Sequence, residues 1–202
     1  MSHAIIYDCE FLTAPGAPQR FWNGPVDPDP IIAQIGAVRL SLDGEILDRL
    51  RLYVLPVGRD GRRQALDPLF IRLTGITEEI LDADGIALDA ALARLDAFSK
   101  GATLWSWGKD ELNMIAVSCW IAGIAPPLTP ARFGNACDLL LTAGMPLEDV
   151  HKTRSNTLAA YYAVEHPPLR GHDGLDDALC VAYTLQHLLR TGHLSAADFE
   201  RP

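Results

Sequence analysis

Asp8 and Glu10 stand two positions apart, directly after a short isoleucine-rich run at residues 4–7. In an extended chain that spacing sends both side chains to one face. Two carboxylates held together at the end of a buried strand repel each other and resist desolvation. A divalent cation removes both penalties, and a set of hard oxygen donors suits Mg²⁺ or Mn²⁺. A D-x-E pair alone is common by chance and fits two solvated acids equally well. Asp110 and Glu111 make a second acidic pair, behind Trp107, Gly108 and Lys109. At a helix start an acid is first of all a cap or a dipole partner. Asp110 suits that role and Glu111 suits it less; on the residues alone, either is open as a metal ligand. The third cluster is His172, Asp173, Gly174, Leu175, Asp176 and Asp177. Asp177 falls in line with Val181, Thr184 and Leu188, beside an apolar stripe. Asp176 points about 100° away, toward solvent, and Asp173 fits an N-cap. A loop histidine is ordinarily a surface residue, but imidazole titrates near neutrality, which makes His172 a candidate general base.

The elements that must bring these groups together are legible in outline. Residues 4–7 read as a buried strand, 34–40 as a second, and 45–54 as a third, with Leu50, Leu52 and Val54 alternating against Arg49, Arg51 and Tyr53. Asp43-Gly44 is a turn signal, so the three form an antiparallel meander. A loop rich in proline and glycine spans 14–30 and carries Phe21 and Trp22; another spans 56–63. A weak turn or short helix is expected at 77–81. A helix follows from Leu88 to Phe98, stopped by Gly101, and then a fourth strand at 102–107. Further helices are expected at 110–122, 136–143, 155–164 and 175–189, with 166–174 as a loop. The 110–122 helix is expected to bury Leu112, Ile115, Ala116 and Cys119. Acids then stand at the end of the first strand, after the fourth, and at the start of the last helix. Ligands of open α/β sheets gather at strand carboxyl ends.

The bulk composition sets limits. A chain of 202 residues, 49% hydrophobic and 21% charged, can bury a sizeable core in one domain, residues 1–202, of ordinary globular composition. Its apolar runs are too short to span a membrane, and its start has neither the basic region nor the apolar stretch of a signal peptide, so a cytoplasmic location is expected. The four cysteines form no C-x-x-C pair and read as reduced thiols. A net charge of −9 argues against a broad basic face for nucleic acid; bound cations would reverse the field locally.

Taken together, the motifs resemble the DEDD exonuclease superfamily, in its DEDDh branch, with the Eri-type and KapD-like exonucleases nearest. Asp8 and Glu10 match the first motif, and His172 and Asp177 match the H-x-x-x-x-D motif. Ile35, Gly36, Ala37 and Val38 are similar to the family's second strand; Leu73, Thr74, Gly75, Ile76 and Thr77 are similar to the loop after its third. Aligning Ser106, Trp107 and Gly108 puts Glu111 where the family has an aspartate, and leaves Asp110 as cap. The 14–30 loop is longer than the family's usual one.

The resemblance implies an α/β, ribonuclease H-like fold: a five-stranded mixed sheet, antiparallel meander plus parallel strands, flanked by helices. It also implies a 3′→5′ exonuclease that uses two Mg²⁺ or Mn²⁺ ions to release nucleoside 5′-monophosphates from the 3′ end of DNA or RNA. Asp8, Glu10, Glu111 (or Asp110) and Asp177 would be the metal ligands and His172 the general base. Phe11 and Leu12 would pack on the terminal nucleotide, with Trp107 a candidate for base stacking. Arg154, Lys152 and Arg170 lie near the last motif. The expected partner is a single-stranded 3′ end, with no membrane; the sequence leaves a homodimer open. The competing expectation is a catalytically impaired nucleic-acid-binding module of the same fold, because of glutamate at position 111.

Overall fold

In a computed structural model, residues 2–200 are described. The meander forms as the alternation predicts. Strand β1 (His3–Phe11) pairs antiparallel with β2 (Ile32–Ser41), and β2 pairs antiparallel with β3 (Ile46–Val54). Helices α1 (Pro68–Thr74) and α2 (Glu78–Asp84) follow. Strand β4 (Gly85–Ile86) lies parallel beside β3 and leads into helix α3 (Leu88–Ser99). Strand β5 (Leu104–Ser106) pairs parallel with β1, helix α4 covers Asp110–Ala122, and β6 (Phe133–Asn135) pairs parallel with β5. Helices α5 (Ala136–Thr142), α6 (Leu147–Lys152), α7 (Leu158–Tyr161) and α8 (Gly174–Arg190) follow, and a 3-10 turn covers Ala196–Phe199. The sheet order is β4-β3-β2-β1-β5-β6.

The sheet therefore has six strands, not five. Beyond the four strands located along the sequence stand β4 and β6, of two and three residues, too short to show any period. Helices α1 and α6 were also outside the expectation. The helix expected at 155–164 is a 3-10 turn, Ser155–Thr157, followed by the short α7. It stops early because Ala163 takes a left-handed φ of 52°. In α4, Ile115 and Cys119 are buried as expected, but Ala116 is exposed.

Because β-strand side chains alternate, the sheet builds two cores. Ala4, Ile6, Val38 and Leu40 pack under α8 with Ala178, Val181 and Leu185. Ile5, Tyr7, Ile35, Ala37 and Leu52 pack under α3 and α4 with Leu92, Leu95 and Ile115. A third cluster, with Leu12, Ile31, Phe70 and Ile76, sits under the loop end of the sheet. Among the described residues no helix is long and apolar enough to cross a membrane.

Candidate metal centre and nucleotide cavity

The face of β1 that carries Ala4 and Ile6 into the α8 core continues as Asp8 and Glu10. The same alternation that buries the apolar pair thus aims both acids toward the start of α8. The helix is brought close by glycines. Gly36 lies opposite Asp8 in the β1–β2 register. A Cβ there would lie 2.0 Å from the Leu175 nitrogen and 2.1 Å from the Gly174 carbonyl carbon. Only glycine permits that approach of backbone to backbone.

Hydrogen bonds then fix the helix end. The Gln34 side-chain oxygen accepts from the Gly174 N–H at 2.6 Å, and its amide donates to Asp173 Oδ2 at 3.2 Å. Asp173 Oδ1 caps α8 by accepting from the Leu175 and Asp176 N–H groups, both at 3.1 Å. Arg51 reaches over from β3 to Asp173, 2.7 Å away, and to Asp176, at 3.5 Å. Asp176 also accepts the Arg170 N–H at 2.8 Å. It is half-buried and bound, where the helical wheel placed it free in solvent.

Asp177, one turn into α8, is buried and accepts the His172 N–H at 3.2 Å. His172 is exposed and has a left-handed φ of 61°. Donor atoms of Glu10, His172 and Asp177 all lie within 4.8 Å of one another. Asp8 and Glu111 are buried beside this trio, at 8% and 7% exposure, and Asp8 is acted on by the charges of Glu111, Glu10 and Asp177.

The two acids at the start of α4 separate cleanly. Strand β5 ends at Ser106, and Gly108 turns the chain with φ 77°. The Gly108 N–H donates to Asn135 Oδ1, 3.1 Å away at the end of β6. The N-cap position is Lys109, whose side chain makes no cap bond, so Asp110 is not the cap that the sequence suggested; it is the exposed first residue of α4. Glu111 turns inward. Its Oε2 atom is buried and has no hydrogen-bond partner among the described residues.

The electrostatics follow from this crowding. Burial, then repulsion by Glu111, Glu10, Asp177 and Asp173, pushes the Asp8 carboxyl well above the usual range. Burial and the charges of Asp177, Asp173 and Glu111 raise Glu10 to about 8, with Arg170 pulling the other way. Burial lifts Glu111 to about 7, against its own backbone N–H and Ser106, and lifts Asp177 to about 7, against the His172 N–H. Ionising these groups together therefore destabilises the fold. A divalent cation fits the site: the donors are hard carboxylate oxygens, and one of them, Glu111 Oε2, is buried without a hydrogen-bond partner among the described residues.

The sign of the pH effect follows. These acids have folded pKa values above their unfolded ones, so the metal-free protein is most stable at low pH. It loses stability as pH rises from about 4.5 through 7 to 8, where they must ionise. The thermal midpoint in EDTA is expected to fall by on the order of 10 °C between about pH 5 and about pH 8. Adding Mn²⁺ should recover most of that loss at the higher pH and change little at the lower. A metal-free midpoint that rises over this interval would contradict the burial of the acids.

Beside Glu10 and His172 opens a cavity of about 410 Å³, lined by Phe11, Trp22, Phe70, Leu73 and Thr74 among others. Of the residues expected to contact substrate, Phe11 lies on it. Leu12 does not: it is 1% exposed, inside the third core cluster. Trp107 is half-buried against the core under α8 and does not line the cavity. The β1–β2 register slips between Glu10 and Phe11, and a register slip exchanges which side chain faces inward. Trp22 and the α1 residues Phe70 and Leu73 were not singled out as cavity residues. The sequence did carry a signal for α1: Asp67 caps it, Pro68 opens it, and Gly75 closes it at φ 69°.

The mixed sheet covered by helices is a fold shared with solved 3′-exonucleases and with exonuclease I. The chain is similar to a 3′-exonuclease solved for its 3′-end-specific recognition of a histone mRNA stem-loop: 21% identity, TM-score 0.73, covering 94% of this chain and 82% of that one. It is also similar to a full-length 3′-exonuclease (20% identity, TM-score 0.71, covering 94% and 61%). A third likeness is the zinc-bound complex of E. coli exonuclease I with single-stranded DNA (16% identity, TM-score 0.61, covering 95% and 41%). The chain thus spans most of the first relative but well under half of the exonuclease I chain. No family model matches the sequence, and no curated protein matches it.

Proposed function

We propose that the chain is a metal-dependent 3′→5′ exonuclease that releases nucleoside 5′-monophosphates, with residues 1–202 acting as one exonuclease domain in the cytoplasm. The observation that carries this reading is the gathering of Asp8, Glu10, Glu111 and Asp177 at one end of the sheet, with His172 on the rim. The solved relatives support it, since one recognises an RNA 3′ end and another binds single-stranded DNA and zinc.

Asp8, Glu10, Glu111 and Asp177 would hold two Mg²⁺ or Mn²⁺ ions. Bound there, such ions activate water and stabilise a leaving 3′ oxygen. The chain's own groups do the rest. Glu10 lines the cavity, and Asp177 presents an oxygen within 4.8 Å of donor atoms of Glu10 and His172. His172, exposed on a fixed backbone and tied through its N–H to Asp177, is placed to accept a proton from water at the cavity rim. Arg170, whose guanidinium donates to the Leu73 carbonyl at 3.3 Å and acts on Glu10, brings a cation to the same rim, where it would meet a phosphate. The remaining positive field must come from the ions, since the chain carries a net charge of −9.

The direct test is digestion of 5′-labelled RNA and DNA single strands with Mg²⁺, Mn²⁺ or EDTA. A ladder of 3′-shortened products that EDTA abolishes is expected; intact strands under every metal would overturn the reading and favour a binding module. Position 111 can be judged separately. Glu111→Gln should reduce the rate about 10²-fold, because it removes a buried charge from the centre. Asp110→Asn should stay within about twofold of wild type, as exposed substitutions usually do. The opposite ranking would move the ligand one residue back.

A further inference from the structure

Leu12, which the sequence offered to the terminal nucleotide, is in the core, and its place at the cavity is taken by a residue from the 14–30 loop. The Leu12 carbonyl accepts the Trp22 indole N–H at 3.0 Å. That bond seats the indole against Phe11, with ring centroids 5.6 Å apart and planes at 59°. Both rings line the cavity that also holds Glu10 and His172.

The loop is built to keep the indole there. Phe21 and Trp22 both have left-handed backbones, φ 54° and 53°, a conformation that bulky residues avoid. Such strain persists where the surroundings over-determine it, and it clusters at ligand clamps. Here Arg20 supplies the brace: it pairs with Asp27 at 2.5 Å and donates to the Pro15 carbonyl at 2.9 Å. Asp27 in turn accepts the Gly24 N–H at 2.8 Å. The result is an aromatic wall held by the loop's own contacts and by the Leu12 carbonyl.

We propose that Trp22 is a specificity-determining residue: the platform on which the unpaired 3′-terminal base stacks, in the cavity between the 14–30 loop and α1. The proposal rests on the exonuclease reading and names the substrate class of that site. The cavity, at about 410 Å³, falls in the range of small-molecule sites and takes one nucleotide. Stacking on an indole tolerates any base, since each has a π-face. A base that enters must first leave its duplex stack, so single-stranded ends are preferred over blunt ones.

The test compares wild type, Trp22→Phe and Trp22→Ala on matched single-stranded and blunt-ended DNA with Mn²⁺. It also follows thymidine 5′-monophosphate binding by tryptophan fluorescence. Trp22→Ala is expected to raise KM for the single strand about tenfold, with a much smaller change in kcat, and to narrow the preference over blunt ends. Trp22→Phe should restore most of the KM, while the nucleotide-induced quenching of wild type disappears in both variants. If wild type cuts and Trp22→Ala keeps the KM, the preference and the quenching, the proposal fails alone. A fall in kcat without a rise in KM also overturns it, because the indole would then only brace Glu10. No hydrolysis and no binding by wild type would remove the exonuclease reading, and this proposal with it.

Discussion

Replacing Asp8 with asparagine is expected to lower the hydrolysis rate by on the order of 10³-fold or more, and in the same protein to raise the thermal midpoint in EDTA near neutral pH. The two effects have one cause. Asp8 is buried and repelled by Glu111, Glu10, Asp177 and Asp173. Without a cation its charge opposes the fold, and asparagine keeps its shape while removing that charge. A site kept for function at the expense of stability shows this opposition. The measurements are a steady-state rate with Mn²⁺ and a melting curve in EDTA. If the variant loses activity and also melts earlier, Asp8 is a structural acid. If it keeps the rate, the proposed centre is wrong.

The second large effect is expected at Gly36. Gly36→Ala should cost about 3 kcal/mol of stability, at the upper end for overpacking, because the added carbon meets main chain rather than a flexible side chain. The start of α8 would have to lift from β2, carrying Asp177 and His172 away from Glu10. Activity should therefore fall more than the population of folded protein does. Denaturant unfolding and a rate measured at saturating Mn²⁺ separate the two. A variant as stable and as active as wild type would show that the close approach of α8 to the sheet is not needed.

How much of this was legible in the sequence depends on the range over which each feature is decided. Strand β1, the alternation of β3 and the stripe of α8 are written in local periodicity and form there, although β1 runs past the expected 4–7 and carries Asp8 and Glu10 within it, ending at Phe11. Asp8 and Glu10 share a face because strand geometry alone requires it. The choice between Asp110 and Glu111 is different in kind. It depends on a turn at Gly108 held by Asn135, 27 positions away, so neighbouring residues cannot decide it. The short strands β4 and β6 exist only through pairing with β3 and β5, and three residues carry no period of their own. Leu12 and Trp22 exchanged roles for a similar reason. The register slip after Glu10 and a bond from a distant indole decide which apolar side chain faces the cavity. The aromatic pair in a loop rich in proline and glycine was the available clue, and only the fold shows what it lines.

The bond between Gln34 and the Gly174 amide joins positions 140 apart. Contacts of that separation close late in folding, after the loop entropy has been spent. An incompletely folded chain therefore holds its acids dispersed, with no pocket for a cation and no fixed imidazole. Whatever reaction the finished protein performs, assembly of its acids waits on the closure of that span.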